Sequence, residues 1–589
     1  MKDFFKYVLA TIVGIVILGL ILTILGAMSL VGMVASGEAT KNVGSNSVLV
    51  MNLSGSMEEQ SGDDTMSKFL GSAAGTVGLH ETLQAIRKAK DNDNVKGIYL
   101  EAGAFSSDYA SMQEVRNALL DFKKSGKWIV AYGDTYTQGT YYLCSVADKV
   151  WLNPNGEIDW HGIASEPMFV KDLLAKVGIK MQVIKVGKYK SATEMYTEDR
   201  MSDANREQTQ AYIDGLWRNV VKAVSDSRKI SVDSLNAYAD RLVMFEGAEA
   251  LKKLKLVDGL LYHDQVKAEV KKLLEIDEDK SISQISIGDM QFVKQKNDGE
   301  KIAVYYAYGD IVDQPAEGIL MGGGHQIVTK EVTKDLQALA DDDKVKAVVL
   351  RVNSPGGSAY ASEQIWHQVE LLKAKKPVVV SMGGYAASGG YYISSGANYI
   401  IAEPTTLTGS IGIFGVLPDR SELMTKKLGL KFDQVKTNRN AAFGSSSRPF
   451  NAEELGYLQS YINRGYQLFR KRVADGRKMT VDQVEAIAQG HVFTGEDALK
   501  IKLVDELGGL DKAVAKAAQL AKVDEYYTAA YPAQPTLFEQ LMNQANGGNY
   551  LDEKMRVTLG EYYKPFMLMR EASQMSPVQA RLPYYLNIR

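Results

Sequence analysis

The chain repeats itself, and this constrains its fold more than any single motif. Asn94-Val-Lys-Gly-Ile-Tyr-Leu100 matches Lys344-Val-Lys-Ala-Val-Val-Leu350 about 250 residues further on. Val130-Ala-Tyr-Gly133 matches Val380-Ser-Met-Gly383 at the same spacing, and Gly139-Thr-Tyr-Tyr-Leu143 matches Gly389-Gly-Tyr-Tyr-Ile393. Val183–Lys190 aligns more loosely with Gln434–Ala441, and a long amphipathic helix is expected after each. The spacing predicts two copies of one domain, over residues 46–275 and 298–525, joined by a polar connector at 276–297. Residues 526–589 have no counterpart in the first copy and are read as an extension, either a tail or an oligomer contact.

Inside each copy, short β-branched runs alternate with helical stretches. Ala347–Val352, Val378–Ser381 and Tyr399–Ala402 read as buried strands, Thr329–Ala340 and Ala359–Ala374 as helices. That alternation predicts an α/β fold in which crossover helices cover a parallel sheet. Functional residues of such sheets gather at the C-terminal ends of strands and at the turns that follow them.

Ahead of the first copy, Tyr7 to Gly37 carries no charged residue. A helix of roughly 20 residues spans a bilayer core, whereas the apolar part of a secretory signal is only about 7–15 residues long. An uncleaved N-terminal transmembrane helix within residues 1–45 is therefore expected, with Lys2 and Lys6 on the cytoplasmic side and the rest of the chain beyond the membrane. Charge elsewhere is balanced: 68 basic against 71 acidic residues give a net charge of -3, which does not favour nucleic acid as a partner. Cys144 stands alone, so no intramolecular disulfide is possible. The six histidines show no zinc-hydrolase spacing, and neither a metal nor a cofactor is expected.

Duplication supplies an internal control, because residues needed for folding should recur while chemistry need occur only once. The second copy has Asn353-Ser-Pro-Gly-Gly-Ser358 where the first has Gly103-Ala-Phe-Ser-Ser-Asp108. Paired glycines allow a tight turn with outward N–H groups. Further on, Ser388 in Tyr385-Ala-Ala-Ser-Gly-Gly390 replaces Gln138 of the first copy. A serine at such a strand-to-helix turn suits nucleophilic attack, and the N–H of Gly389, with one from Gly356 or Gly357, could bind an oxyanion. The hydroxyl needs a base, and no histidine lies between His367 and His491. A buried lysine can serve if desolvation brings its pKa towards neutrality. The first copy carries Gly187-Lys-Tyr-Lys-Ser191 where the second has Asn438-Arg-Asn-Ala441, so Lys190 is the candidate base. Ser410, in Thr408-Gly-Ser-Ile-Gly412, could orient that lysine; Trp160 holds the corresponding place in the first copy.

Together with Leu407–Gly415, Tyr189-Lys-Ser191 and Gly490-His-Val-Phe-Thr-Gly495, these motifs resemble the long, duplicated form of the signal peptide peptidase A family, over essentially the whole chain. The resemblance implies two tandem domains of the Clp-protease and crotonase superfamily. It implies Ser388 as catalytic serine, Lys190 as general base and Ser410 as the residue that orients the lysine. It further implies a bowl-like homotetramer that degrades cleaved signal peptides in or near the bacterial cytoplasmic membrane, with the catalytic body on its outer side. Tyr385 and Met195 depart from the family pattern at flanking positions able to alter subsite preference.

Two other readings use the same residues differently. A crotonase-like acyl-CoA enzyme would need the oxyanion donors but neither Ser388 nor a neutral lysine. A membrane scaffold descended from a protease would need none of them. A single sequence also leaves open whether Lys190 reaches Ser388 within one chain or across an interface.

Overall fold

The computed structural model describes residues 41–61, 76–294, 298–315, 325–532 and 578–582. The two copies fold as α/β lobes, each on its own parallel sheet. In the first lobe the strands run in the spatial order Thr76–Gly78, Ser47–Glu58, Val95–Ser106, Trp128–Tyr136, Lys149–Ile158, Gly259–Leu260. In the second they run Val492–Thr494, Leu407–Gly409, Val378–Ala387, Val345–Ser354, Glu300–Tyr308, Tyr526–Tyr531. There only Val492–Thr494 is antiparallel to its neighbour. The matching sequence runs occupy matching places: Val95–Ser106 and Val345–Ser354 are central strands, and Gln138–Cys144 and Gly389–Ser394 are the short helices behind them.

These strands form because their residues are apolar and β-branched and are covered on both faces. Val348, Val349, Leu350 and Val352 are all buried, with helices Thr329–Asp341 and Ala359–Lys373 applying Leu336, Leu339, Ile365 and Val369 to one face. Leu510–Ala521 covers the other with Ala513, Val514 and Ala517. Burying each large aliphatic side chain stabilises the fold by about 1.5–3 kcal/mol.

Three regions do more than the sequence pattern indicates. The polar connector contains a strand, Ser283–Ser286, that pairs in parallel with Ser47–Glu58 in the first sheet. From the C-terminal extension, Tyr526–Tyr531 pairs with Glu300–Tyr308. A third, six-stranded sheet then joins the lobes, in the order Gln326–Val328, Asp310–Val312, Gly356–Ser358, Val578–Arg581, Phe414–Asp419, Lys180–Lys185. Its last strand belongs to the first lobe and is antiparallel to Phe414–Asp419 of the second. By contrast, Gln434–Ala441 forms no strand, and Val435 is 98% exposed. The loose alignment with Val183–Lys190 therefore does not extend to shared structure: Val183–Lys185 has a partner strand across the lobe boundary, and Gln434–Ala441 has no such pairing.

The expected membrane helix over Tyr7–Gly37 lies outside the described residues. Among the described residues no helix is long and apolar enough to cross a membrane.

A buried ionic cluster also ties the lobes together. Arg351, fully buried on the second lobe's central strand, reaches Glu59 at 2.9 Å and Glu114 at 2.6 Å, both from the first lobe, and donates to Ser381 Oγ at 3.0 Å. Glu59 also accepts from Asn353 Nδ2 at 2.8 Å, and Glu114 from the N–H of Leu510 at 2.8 Å. Removing one member of such a cluster leaves uncompensated buried charge. Arg351→Met should destabilise the protein by about 3–5 kcal/mol, measured by chemical denaturation, and adding Glu59→Gln and Glu114→Gln should recover part of the loss. A single variant as stable as the parent would show that the cluster does not hold the lobes together.

Candidate active site

The inter-lobe strand pairing fixes where Lys190 lies. In the antiparallel register Lys180 faces Asp419 and Lys185 faces Phe414, and the N–H of Val186 continues it by donating to Ile413 O at 3.3 Å. Beyond Val186 the chain turns, Tyr189 donates its N–H to Gln489 O at 3.0 Å, and Lys190 comes to rest against Gly490. Its side chain is completely buried, and its Nζ lies 2.8 Å from Ser388 Oγ, 2.9 Å from Ser410 Oγ and 3.1 Å from the Ser410 carbonyl. All three contacts lie within one chain. The three side chains that sequence reasoning placed together thus meet in one hydrogen-bonded set.

The electrostatics follow from what surrounds the amine. Hydroxyls, a carbonyl and the Phe414 ring, 5.9 Å away, face Lys190, and burial pulls its pKa well below the ordinary lysine value. A neutral amine has two hydrogens and one lone pair. In that form it has donors enough for Ser410 Oγ and the Ser410 carbonyl, and a lone pair left for the Ser388 hydroxyl.

Ser388 follows strand Val378–Ala387 with φ +55° and ψ -113°, and Ser410 has φ +50°. Both are sparsely populated conformations for a residue with a Cβ, and such strain concentrates where a side chain must be aimed. Surrounding bonds hold each one: the Ser388 N–H donates to Gly409 O at 2.8 Å and the Ser410 N–H to His491 O at 2.7 Å. The imidazole of His491 is stacked on Tyr189, 4.1 Å between centroids, and takes no part in the serine–lysine set.

The glycine turn lies alongside. Gly356 donates its N–H to Ser354 Oγ at 3.1 Å, whereas Gly357 pairs with Ala580 of the neighbouring strand. Close approach explains why Gly356 lacks a side chain: a Cβ there would lie 2.8 Å from the nitrogen of Gly389. Upstream, Asn353 Oδ1 accepts from the N–H of Tyr385 at 3.0 Å, so the residue that opens the turn is fixed between Glu59 and the strand leading to Ser388. Between Gly356–Ser358 on one side and Phe414–Gly415 on the other lies a slot one strand wide, holding Val578–Arg581 antiparallel to both.

The first copy has none of this. Gln138, in the place of Ser388, donates to Gly162 O at 3.0 Å and Tyr109 Oη at 3.1 Å, and Trp160, in the place of Ser410, is buried and donates to Leu235 O at 2.9 Å. Of the two flanking departures, Tyr385 packs beside Leu407 and Leu582, whereas Met195 sits in a separate cluster with Val170 and Leu174.

Sequence reasoning missed two supports of Lys190. Gln208, buried on helix Asp203–Arg228, donates from Nε2 to Tyr189 O and Ser191 Oγ, each at 3.0 Å, and accepts from the N–H of Val492 at 3.2 Å. An interior helical glutamine carries no signal in sequence. Gly490 was visible in Gly490–Gly495 but had no role there; it packs against the lysine backbone from the second lobe.

A strained serine hydroxyl 2.8 Å from a buried lysine amine whose pKa burial lowers, beside a glycine turn at the end of a parallel sheet, is an arrangement suited to a serine hydrolase. The pattern of Peptidase family S49 matches residues 121–277 and 370–524, over half of the chain, and that of Clp protease matches 311–406. The chain is 42% identical to Protease 4 of Salmonella typhi over 80% of its own length and 76% of that protein. It is 34% identical to Protease 4 of Haemophilus influenzae over 86% and 84%. Identity to the chloroplastic serine protease SPPA of Arabidopsis thaliana is 32% over 82% and 70%. The chain belongs to peptidase family S49 and is a serine peptidase, which sets aside the acyl-CoA and scaffold readings.

The packing of Gly490 gives a direct test of how tightly Lys190 must be held. Its φ is +82°, and a Cβ there would lie 2.7 Å from the backbone nitrogen, Cα and Cβ of Lys190. Gly490→Ala should therefore displace the amine and lower kcat/KM for a peptide substrate about 100-fold, with the fold retained by circular dichroism. Unchanged kcat/KM would mean that the amine tolerates displacement.

Proposed function

We propose that Ser388 is the nucleophile of this peptidase, Lys190 its general base and acid, and Ser410 the residue that orients the lysine. The 2.8 Å separation of Lys190 Nζ from Ser388 Oγ, with no carboxylate bonded to the amine, carries this reading. Lys190 takes the hydroxyl proton as Oγ attacks a peptide carbonyl. The developing oxyanion lies towards the N–H groups of Gly389 and Gly357, each worth about 2.7–4 kcal/mol in the transition state. The amine then protonates the leaving nitrogen, and water hydrolyses the acyl-enzyme by the same route in reverse.

The substrates we propose are extended apolar peptides, cleaved signal peptides among them. A slot between Gly356–Ser358 and Phe414–Gly415 supports this, since an extended chain can add to both edges through main-chain hydrogen bonds. The uncharged run Tyr7–Gly37 supports an N-terminal helix anchored in the bacterial cytoplasmic membrane, with the catalytic body outside. Exposed Leu428, Leu430, Phe432, Val435 and Phe443, clustered in sequence, support a self-association face such as a homotetramer would cover.

Ser388→Ala or Lys190→Ala should each abolish peptidase activity, and a serine-directed phosphonate should label Ser388 only when Lys190 is present. Retained hydrolysis in either variant would end this reading. Activity should rise with pH as Lys190 loses its proton, through a pKa below the ordinary lysine value.

Stability gives an independent check. Between the lowered folded pKa and the ordinary unfolded one, the unfolded chain binds more protons at Lys190, so this group's contribution to stability falls as pH falls. Lys190→Met should therefore raise Tm while eliminating activity, with a larger gain at pH 7 than at pH 10. An equal gain at both would indicate an amine that stays charged in the fold.

A further inference from the structure

The buried ionic cluster between the lobes borders a cavity that the peptidase chemistry does not use. It measures about 230 Å³ and lies between helices Leu79–Asp91 and Tyr109–Lys123 of the first lobe and residues Gly508 to Lys512 of the second. A single water needs about 10–15 Å³, so the space suits a small organic molecule. Leu83, Ile86, Ala118 and Leu510 supply apolar walls.

Two carboxyl groups and an amide line the same cavity. Glu114 and Asn117 are three apart on one helix, and Glu403 follows strand Tyr399–Ala402 of the other lobe. Glu403 is 1% exposed and, among the described residues, makes no ion pair. Its carboxyl accepts one long hydrogen bond, from Asn117 Nδ2 at 3.4 Å. Glu114 Oε1 lies 2.6 Å from the Arg351 guanidinium yet receives no well-directed hydrogen bond. Arg351 is already shared between Glu59 and Glu114, so Glu403 is a third carboxyl without a cation of its own. Burial, and then the charge of Glu114, push its pKa up to about 8, while Arg351, Lys512 and the Asn117 amide act in the opposite direction. Buried charge is stable only when paired, and here the missing partner is positive.

The acceptors present decide which cation fits. A metal ion such as calcium takes about 6–8 oxygens, and no group of three or more histidine, cysteine, aspartate or glutamate side chains among the described residues could hold one. A primary ammonium has three N–H donors, which Glu403, Glu114 and the amide oxygen of Asn117 can accept. The cations at the rim already have acidic partners: Arg87 is bonded to Asp511, Lys90 to Asp121 at 2.6 Å and Lys512 to Glu506 at 3.0 Å.

We propose that this cavity binds a primary ammonium group carried on a short apolar body, with the ammonium against Glu403 and Glu114 and the hydrocarbon against Leu83, Ile86, Ala118 and Leu510. Glu114 belongs to the first lobe and Glu403 to the second, so the bound cation bridges the two and strengthens their docking. A free alkylamine offers this chemistry, and so does the α-ammonium of an apolar amino acid or peptide. In the second case a carboxylate or peptide group extends to the rim, where Arg87, Lys90 and Lys512 lie.

The test is calorimetric titration of the full chain with 3-methylbutylamine and with its uncharged analogue 3-methylbutanol. Only the amine should bind. Like a lysine side chain, with a pKa of about 10.4, the amine stays charged from pH 7 to pH 9. Glu403 must ionise to receive it, so affinity should rise about tenfold over that range. Glu403→Gln should weaken binding at pH 9 at least tenfold and remove the pH dependence, and Ala118→Phe, which fills the cavity, should also abolish binding; both should still hydrolyse a peptide substrate. L-leucine, titrated at pH 7, separates the sources: tighter binding than the amine assigns the site to amino acids and peptide N-termini, weaker binding to free amines. No binding of the amine, equal binding of the alcohol, an affinity unchanged between pH 7 and pH 9, or undiminished binding to Glu403→Gln overturns the proposal.

Discussion

The proposed reaction centre depends on a strand that crosses from one lobe to the other. Lys180–Lys185 is encoded in the first copy but hydrogen-bonded to Phe414–Asp419 of the second, and the turn that follows it places Lys190 Nζ 2.8 Å from Ser388 Oγ. Neither lobe could assemble the set alone. The first copy has filled the nucleophile's place with Gln138, whose amide closes its own loop, and the place of Ser410 with a buried tryptophan. The second copy has exposed, irregular backbone at Gln434–Ala441, the segment loosely aligned in sequence with Val183–Lys190.

The role proposed for Lys190 requires uncharged neighbours. A carboxylate at hydrogen-bonding distance would hold it as an ammonium, with no lone pair to accept a proton. The fold instead gives it hydroxyls and a carbonyl, and keeps its buried charges elsewhere: Arg351, Glu59 and Glu114 form their own cluster across the lobe boundary. That cluster is linked to the reaction centre through a neutral residue. Asn353 bonds Glu59 on one side and the backbone of Tyr385 on the other, so inter-lobe docking positions the glycine turn without bringing charge to the amine.

The duplication, the parallel sheets and most central elements are legible in sequence because repetition and β-branched runs carry strong signals. Tyr399–Ala402 coincides with its strand, and Ala359–Lys373 with its helix to within a residue. Ser388 and Ser410 stand out in sequence because the aligned first copy has Gln138 and Trp160 at their places, whereas Lys190 was picked from an alignment with Gln434–Ala441 that the fold does not share. Other features depend on long-range pairing that no local pattern encodes. Ser283–Ser286 is polar and becomes a strand only because Ser47–Glu58 offers a free edge. Gln208 looks like any surface glutamine until helix Asp203–Arg228 turns it towards the lysine backbone. The choice between Gly356 and Gly357 is equally invisible, since it turns on the hydroxyl of Ser354 claiming one of two neighbouring N–H groups.

The two strained serines depend on the edge strands of the second lobe's own sheet. Ser388 and Ser410 each hold a positive φ, a conformation costing on the order of 1–3 kcal/mol per residue. Each is held by a backbone hydrogen bond, Ser388 to Gly409 and Ser410 to His491, so relaxing either would require the lobe's edge strands to part. A segment added between Gly356–Ser358 and Phe414–Gly415 bonds instead to edges of the sheet that joins the lobes. Holding the serines in their strained state and binding an extended chain are therefore separate duties, the first carried by the second lobe's own sheet and the second by the sheet between the lobes.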